Sequence, residues 1–171
     1  MTSLPVNLST RLLAAAALAL ACAAPASAQG LLYELKAGVL AHDVPDLWSG
    51  FQAERGAADL NLEAVLSPSV TFLGGQIRPA IGGTINFNGD TSHAYIDARW
   101  QWETSLNVFF AIGVGAAIHD GELGPSGGPD HKWLGSRVLF HIPIEIGYHL
   151  DAHNSLSVYF EHTSNAYTQT Y

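Results

Sequence analysis

The amino-acid sequence predicts an all-β fold, a small antiparallel transmembrane β-barrel of eight strands, of which about seven are present in the chain. The first observation is compositional: 48% of the 171 residues are hydrophobic and 13% are charged, about half of the roughly 25% that is typical of soluble domains. After residue 28, however, no uninterrupted apolar run reaches the roughly 18 residues of a membrane-spanning helix. The apolar residues must therefore be distributed along amphipathic segments.

The second observation is that apolar residues recur at every second position from Leu31 onward, which is the period of a β-strand. In Thr104–Ile118, for example, Phe110 and Ile112 lie on one face, and Phe109 and Ala111 lie on the other. The candidate strands are Leu31–Leu40, Ala58–Leu66, Ile77–Phe87, Thr91–Trp102, Thr104–Ile118, Ser136–His149 and Asn154–Asn165.

The polar faces of these strands carry most of the charge. The residues concerned are Glu34, Lys36, Glu63, Arg78, Arg99, Arg137 and Glu145. In a small barrel we expect these charges to neutralise one another inside, while the apolar faces contact lipid. The alternative is a secreted β-sandwich with its apolar faces packed together. The barrel is favoured because several strands reach about ten residues, enough to cross a bilayer, and because Trp100, Trp102 and Tyr148 lie near strand ends, where aromatic girdles form.

The third observation is the alternation of connection lengths. The connections Ala41–Ala57 and His119–Gly135 are long, whereas those around Glu103 and Asp151–His153 are tight. Bacterial barrels have long outer loops, short periplasmic turns and an even number of strands. Seven strands therefore imply that the last one is missing, and the chain is expected to be a fragment that stops at Tyr171.

Residues 1–28 are expected to be an export signal for the Sec pathway, and residues 29–171 the barrel domain. Arg11 supplies the positive end, Leu12–Ala24 the apolar core, and Ala26–Ala28 an A-x-A cleavage site. A short membrane anchor is disfavoured because the apolar core is too short to span a bilayer, and the residues before Cys22 form a poor lipoprotein signal. Cleavage after Ala28 leaves a mature chain with no cysteine.

The strand Asn154–Asn165 carries the candidate catalytic residues. Leu156, Val158 and Phe160 share its apolar face with His162 and Ser164. Polar side chains that face lipid are costly and need a reason. A histidine beside a serine is the core of an activated hydroxyl nucleophile, and one that faces lipid would act on a lipid. The alternative is that the strand ends here and both residues lie in the headgroup region.

The run Phe160–Ala166, which reads FEHTSNA, resembles the His-x-Ser-Asn signature of the lipid A 3-O-deacylases, also known as acyloxyacyl hydrolases. These are eight-stranded outer-membrane barrels with a lipid-facing active site. The resemblance implies that Ser164 is the nucleophile, that His162 is the general base and acid, and that Asn165 helps to form the oxyanion hole. It also implies an acidic residue about a dozen positions after the serine, beyond Tyr171. Glu161 is not expected to replace it, because strand alternation points Glu161 inward.

Strand alternation places His93, His141 and His149 on interior faces, and we assign His119, His131 and His153 to loops or turns. No metal site is predicted, because these histidines lack paired spacing or a matching acid cluster, and no cofactor is expected. The net charge of −8 and the lack of a basic patch exclude a nucleic-acid partner.

Two functions follow from the sequence. The first is an outer-membrane esterase that removes the 3-O-linked acyl chain of lipid A in lipopolysaccharide by a Ser-His-acid mechanism. The second is a non-enzymatic small outer-membrane barrel that serves as an adhesin or a structural protein.

Overall fold

The computed structural model describes residues 18–22, 30–44, 54, 58–124 and 132–166. Within these ranges the chain forms strands and no helix. The strands are β1 (Leu18–Cys22), β2 (Leu32–Ala41), β3 (Ala58–Leu66), β4 (Val70–Phe72), β5 (Gly75–Asn86), β6 (His93–Glu103), β7 (Val108–His119), β8 (Val138–His149) and β9 (Asn154–Ser164). All seven predicted strands are present, with ends shifted by a few residues.

Every pairing between the strands is antiparallel, and eight of the strands close a ring. The order β3-β2-β1-β9-β8-β7-β6-β5 returns to its start through a β3–β5 pairing, for example Leu62 opposite Gly83. The fold is therefore the all-β barrel that the sequence predicts. The segments 42–57, 87–92 and 120–137 connect strands at one end, called here the loop end, and 67–74, 104–107 and 150–153 connect them at the other, the turn end.

Strand β1 was not predicted, because residues 18–22 lie within the apolar core of the expected export signal. It pairs with β2 and β9, with Leu18 opposite both Val39 and Val158. β1 thus occupies the place between the first and last predicted strands, where the sequence leaves one strand missing. The cleavage site at 26–28 lies outside the described residues, and the export signal remains a prediction.

The predicted alternation of faces is confirmed around the ring. Phe109, Ala111 and Tyr159 point inward and are buried, whereas Ile96, Val114 and Phe140 point outward and are 50–62% exposed. Trp102 and Tyr148 are also exposed, at the turn end of the wall, as expected of an aromatic girdle. An apolar outer surface around a polar interior is the inverse of a soluble sandwich. No helix in the described part of the chain is long and apolar enough to cross a membrane.

The barrel interior holds a compensated network of buried charges. Lys36 Nζ lies 2.7 Å from Glu145 Oε2 and 3.5 Å from Glu34 Oε2. Arg99 Nη1 lies 2.9 Å from Glu63 Oε1, and Nη2 contacts Glu145. Each charge is buried, so these partners offset the cost of its desolvation. The predicted pairing of opposite charges in the interior is confirmed for these five residues, in which three carboxylates surround two cations.

Two of the predicted interior charges lie elsewhere. Arg78 stacks over the Tyr33 ring, 3.8 Å from its centroid, and donates to the Ser67 carbonyl at the turn end. Arg137 precedes β8 and donates to the carbonyls of His119 and Gly121 at the loop end. Both arginines thus donate to backbone carbonyls in the connections at the ends of the barrel, rather than to carboxylates in its interior.

The short strand β4 was also missed by the sequence pattern. It forms a hairpin with β5, in which Phe72 is opposite Gly75 and the two connecting residues, Leu73 and Gly74, have φ of 45° and 76°. A two-residue turn with positive φ at both positions matches the right-handed twist of the strands. Trp100 Nε1 donates to the Phe72 carbonyl at 2.8 Å and fixes the hairpin to β6.

Candidate active site

His162 and Ser164 lie at the loop end of β9, on its outward face. The cross-strand partner of His162 is Ile142, and that of Ser164 is Phe140. Phe140 is 50% exposed on the outer wall, which places Ser164 on the face that carries the apolar surface. The predicted parity of the pair is confirmed, and both side chains are half-buried.

The edge of β9 that carries the pair extends past β1. On this side the pairing of β9 begins at Asn154 and ends at Val158, while β9 itself continues to Ser164. His162 and Ser164 lie beyond the part of β9 that the described residues of β1 cover.

Asn165 follows directly after the end of β9. Its side-chain amide donates to the Leu134 carbonyl at 3.1 Å, and the next residue, Ala166, has φ of 48°. This left-handed conformation bends the chain, so Asn165 is not bound to the in-and-out alternation of the strand. The alternation of β9 ends at Ser164, and the place of Asn165 beside Ser164 stays a prediction.

Glu161 points inward, as predicted. Its carboxylate oxygens lie 3.3 Å from His141 Nε2 and 3.3 Å from His93 Nε2. Thr84 Oγ1 donates to it at 2.9 Å and the Tyr159 hydroxyl at 3.1 Å. These interior contacts, on the side of β9 opposite to the outward-facing His162, leave Glu161 unsuited to the acidic role of a triad.

A cavity of about 140 Å³ opens at the loop end beside β9. Its lining includes Phe160 and His162 from the edge of β9, together with the interior residues His93 and Glu161. An imidazole at such a cavity can accept a proton from a neighbouring hydroxyl and return it to a leaving group. The cavity therefore gives His162 a polar surrounding at the loop end of the barrel.

Three loops are held together above this cavity by a set of polar contacts, called here the loop network: His42, Asp43, Glu54, Thr91 and Lys132. The Glu54 carboxylate accepts from Thr91 N at 3.1 Å, Thr91 Oγ1 at 3.0 Å and Lys132 N at 3.3 Å. Asp43 accepts from Glu54 N at 2.7 Å and from Lys132 Nζ at 2.8 Å. The network thus fixes the loops that border the His162 side of the barrel.

His42 is the centre of this network. Its Nδ1 lies 2.7 Å from Asp59 Oδ2, and its Nε2 lies 3.0 Å from Glu54 Oε2. Burial disfavours the protonated ring, but the two carboxylates outweigh it and raise the pKa of His42 to about 10. Burial likewise opposes the charge on Glu54, yet its hydrogen bonds from His42 and Thr91 lower the pKa of Glu54 to about 2.

His42 was not predicted from the sequence, and one other histidine lies in a different element from the one predicted. His42 follows β2 and has no spacing signal that links it to Glu54, because the loop that brings them together has no regular period. His119 was assigned to a loop but is the buried last residue of β7, and its Nε2 donates to the Ser136 carbonyl at 2.6 Å. His93, His141 and His149 face the interior as predicted, and His131 lies outside the described residues.

Comparison with known proteins agrees with this geometry. The family model described as lipid A 3-O-deacylase (PagL) matches residues 33–170, a range that contains all of the strands from β3 to β9. Searches of curated proteins and of solved structures gave no significant match. The matched range covers most of the chain and nearly all of the described barrel. The chain therefore belongs to the lipid A 3-O-deacylase (PagL) family.

Proposed function

We propose that the protein is an outer-membrane esterase that hydrolyses the 3-O-linked acyl chain of lipid A in lipopolysaccharide. The single observation that carries the proposal is the position of His162 and Ser164 together on the outward face of β9, in a chain of the lipid A 3-O-deacylase family. Lipid A is itself an outer-membrane lipid, so a site on the outer wall meets the ester without removing it from the bilayer.

In this mechanism the Ser164 hydroxyl attacks the ester carbonyl carbon while His162 accepts its proton. The tetrahedral intermediate collapses, the bond to the 3-oxygen of the sugar breaks, and His162 returns the proton to that oxygen. Water, deprotonated by His162, then cleaves the acyl-serine and releases the fatty acid. Asn165 is proposed to stabilise the oxyanion, through its backbone N–H or through the second N–H of an amide whose first N–H is given to Leu134.

We propose that the acidic member of the triad lies beyond Tyr171, in a further strand that runs antiparallel to β9 and takes the place of β1 in the ring. The supporting observation is that Glu161 contacts His93 and His141 in the interior, on the opposite side of β9 from His162. A strand in the place of β1 that reaches His162 would let a carboxylate orient the imidazole.

We further propose that residues 1–28 are removed on export through the Sec pathway. Removal would take β1 out of the ring and free its place between β2 and β9 for that further strand. The apolar core at 12–24 and the Ala26–Ala28 site are the supporting features.

A serine-directed test separates the enzyme from a non-enzymatic barrel. The full-length protein in lipid A-containing micelles is treated with a lipophilic fluorophosphonate, and the labelled peptide is identified by mass spectrometry. We expect the label on Ser164, with none on Ser157 of the same strand, and loss of labelling in His162→Gln. Absence of label on Ser164 in a folded barrel would favour the non-enzymatic function.

A further inference from the structure

Three side chains that commonly bind metals converge inside the barrel, on the interior side of the strand that carries His162. His93 extends from the start of β6, His141 from β8 and Glu161 from β9. One ligand atom from each residue lies within 4.8 Å of the other two. The cluster thus joins three strands through side chains that the proposed ester hydrolysis does not use.

Both imidazoles approach the same carboxylate at a distance compatible with a shared ion. His93 Nε2 lies 3.3 Å from Glu161 Oε1, and His141 Nε2 lies 3.3 Å from the other oxygen, Oε2. Zinc bonds to histidine nitrogen and carboxylate oxygen are about 2.0–2.2 Å, and in a tetrahedron such bonds separate neighbouring ligand atoms by about 3.3–3.6 Å. Each imidazole nitrogen therefore lies at such a separation from one oxygen of Glu161, while the full set of three ligand atoms lies within 4.8 Å.

A second carboxylate orients one of the imidazoles. His141 Nδ1 lies 2.9 Å from Asp97 Oδ2, and both side chains are fully buried. The His141 ring also stacks on Tyr95, with 4.2 Å between centroids. In metal sites a carboxylate typically accepts the N–H of the ligating histidine and fixes which nitrogen faces the ion. Here Asp97 presents Nε2 of His141 to Glu161.

The ring nitrogen of the remaining histidine faces the same carboxylate without a well-formed hydrogen bond. His93 Nε2 is buried and lies 3.3 Å from Glu161 Oε1, but among the described residues it has no partner at hydrogen-bonding geometry. Buried polar atoms without a hydrogen bond are uncommon and need an explanation such as an ion or a water molecule. An ion between His93, His141 and Glu161 would satisfy this nitrogen.

Charge and space are also suitable for a divalent cation. Two neutral imidazoles with the carboxylates of Glu161 and Asp97 balance an ion of charge +2. His93 and Glu161 line the cavity of about 140 Å³ at the loop end, which leaves room for a water molecule at a fourth coordination position. Two histidines and one glutamate with an open fourth position form a recognised zinc ligand set.

We propose that His93, His141 and Glu161 form a binding site for a divalent transition-metal ion, zinc in the first instance, with Asp97 as a positioning residue. The prediction of no metal site assumed that the histidines lack an acidic partner, and Glu161 supplies that partner from a distant part of the sequence. The ion would connect β6, β8 and β9 from inside, and so stabilise the strand that carries His162 and Ser164.

The test is calorimetric titration of the full-length protein with zinc chloride in detergent, after treatment with a chelator and without a polyhistidine tag. We expect one ion per chain, with affinity lowered about a hundredfold or more by His93→Gln and by Glu161→Gln. Asp97→Asn should lower the affinity about 10–100-fold with unchanged stoichiometry, as expected when the partner of a ligating histidine is lost.

His42→Gln is the matched control. His42 borders the same cavity and also contacts two carboxylates, but it does so through opposite ring nitrogens, so these groups cannot converge on one ion. Its variant should bind zinc like the wild-type protein. Absence of saturable binding by the wild type, or equal binding by His93→Gln, would overturn the proposal.

Folding of each variant is checked by whether its migration in a gel changes on heating. If the variants do not fold, cobalt binding to the wild-type protein still tests the proposal. The intense visible absorption of four-coordinate cobalt supports the site. A weak spectrum of six-coordinate cobalt contradicts it. Neither readout depends on esterase activity, so the metal site and the proposed hydrolysis can fail separately.

Discussion

Glu161 and His162 are adjacent in sequence but serve opposite sides of the barrel wall. The Glu161 carboxylate lies 3.3 Å from His141 Nε2 in the interior, whereas His162 is opposite Ile142 on the outward face. This division assigns Glu161 to an interior cluster and His162 to the outer wall. Under the proposed mechanism, the acid that orients His162 therefore comes from another part of the protein.

The first prediction concerns His162. We expect His162→Gln to lower the rate of lipid A deacylation about 10²–10⁴-fold, because the proton transfers to and from the serine are lost. The measurement is release of hydroxy fatty acid from purified lipopolysaccharide in mixed micelles. His149→Gln is the control, since His149 lies at the turn end and bonds to Ser155. Equal rates for the two variants would remove His162 from the mechanism.

The second prediction concerns the pH dependence of the loop network. His42 has a raised pKa, so its contribution to stability is complete below its ordinary value of 6.5 and is lost as pH rises through about 10. Glu54 has a lowered pKa, so its contribution is complete above its ordinary value of 4.5 and is lost as pH falls through about 2. The network should therefore be most stable between about pH 4.5 and 6.5.

Limited proteolysis of the loops in detergent, across the alkaline range, measures this effect. Cleavage should accelerate as pH rises towards 10 in the wild-type protein. His42→Gln should be cleaved rapidly at all pH values and should lose the alkaline transition. A transition that persists unchanged in His42→Gln would have to come from another group.

The third prediction concerns the interior charges. Lys36→Met leaves the Glu145 carboxylate with one fewer partner in a buried site, and loss of one member of a buried ion pair typically costs about 3–5 kcal/mol. Lys132→Met removes a partly exposed pair with Asp43, which should cost about 1 kcal/mol or less. Urea unfolding in detergent compares the two variants. Similar losses of unfolding free energy would contradict the interior network.

The fourth prediction concerns export. Intact-mass measurement of the protein from outer-membrane fractions should give a mature chain that begins at Gln29, since cleavage is expected after Ala28. Retention of residues 18–22 in the membrane-inserted protein would show instead that β1 is a permanent part of the ring.

Strand alternation was predictable because it depends on nearest neighbours along the chain. A period of two in segments such as Asn154–Asn165 fixes which side chains share a face, and it placed His162 and Ser164 outside and Glu161 inside without knowledge of the pairing. The same alternation correctly put Lys36, Arg99 and Glu145 in the interior, where a narrow barrel brings opposite charges together, but it could not show that Arg78 and Arg137 bind at the ends of the barrel.

Contacts between distant segments were not predictable in this way. His93, His141 and Glu161 meet because of the order and register of β6, β8 and β9, which no local pattern encodes. His42 and Glu54 meet through a loop without a period. Strand β4 has only three residues, too few to show alternation, and β1 has the composition of a signal segment rather than of an amphipathic strand.

The most direct test of the central claim is mass spectrometry of lipid A from cells that express the full-length gene, beside Ser164→Ala and the control Ser157→Ala. Ser157 lies on the same strand and faces the interior, so its variant tests for a general effect of losing a β9 hydroxyl. We predict that lipid A loses the mass of one 3-O-linked hydroxyacyl chain with the wild type and with Ser157→Ala, and is unchanged with Ser164→Ala. Unchanged lipid A in cells with a folded wild-type barrel, or deacylation by Ser164→Ala, would contradict the account.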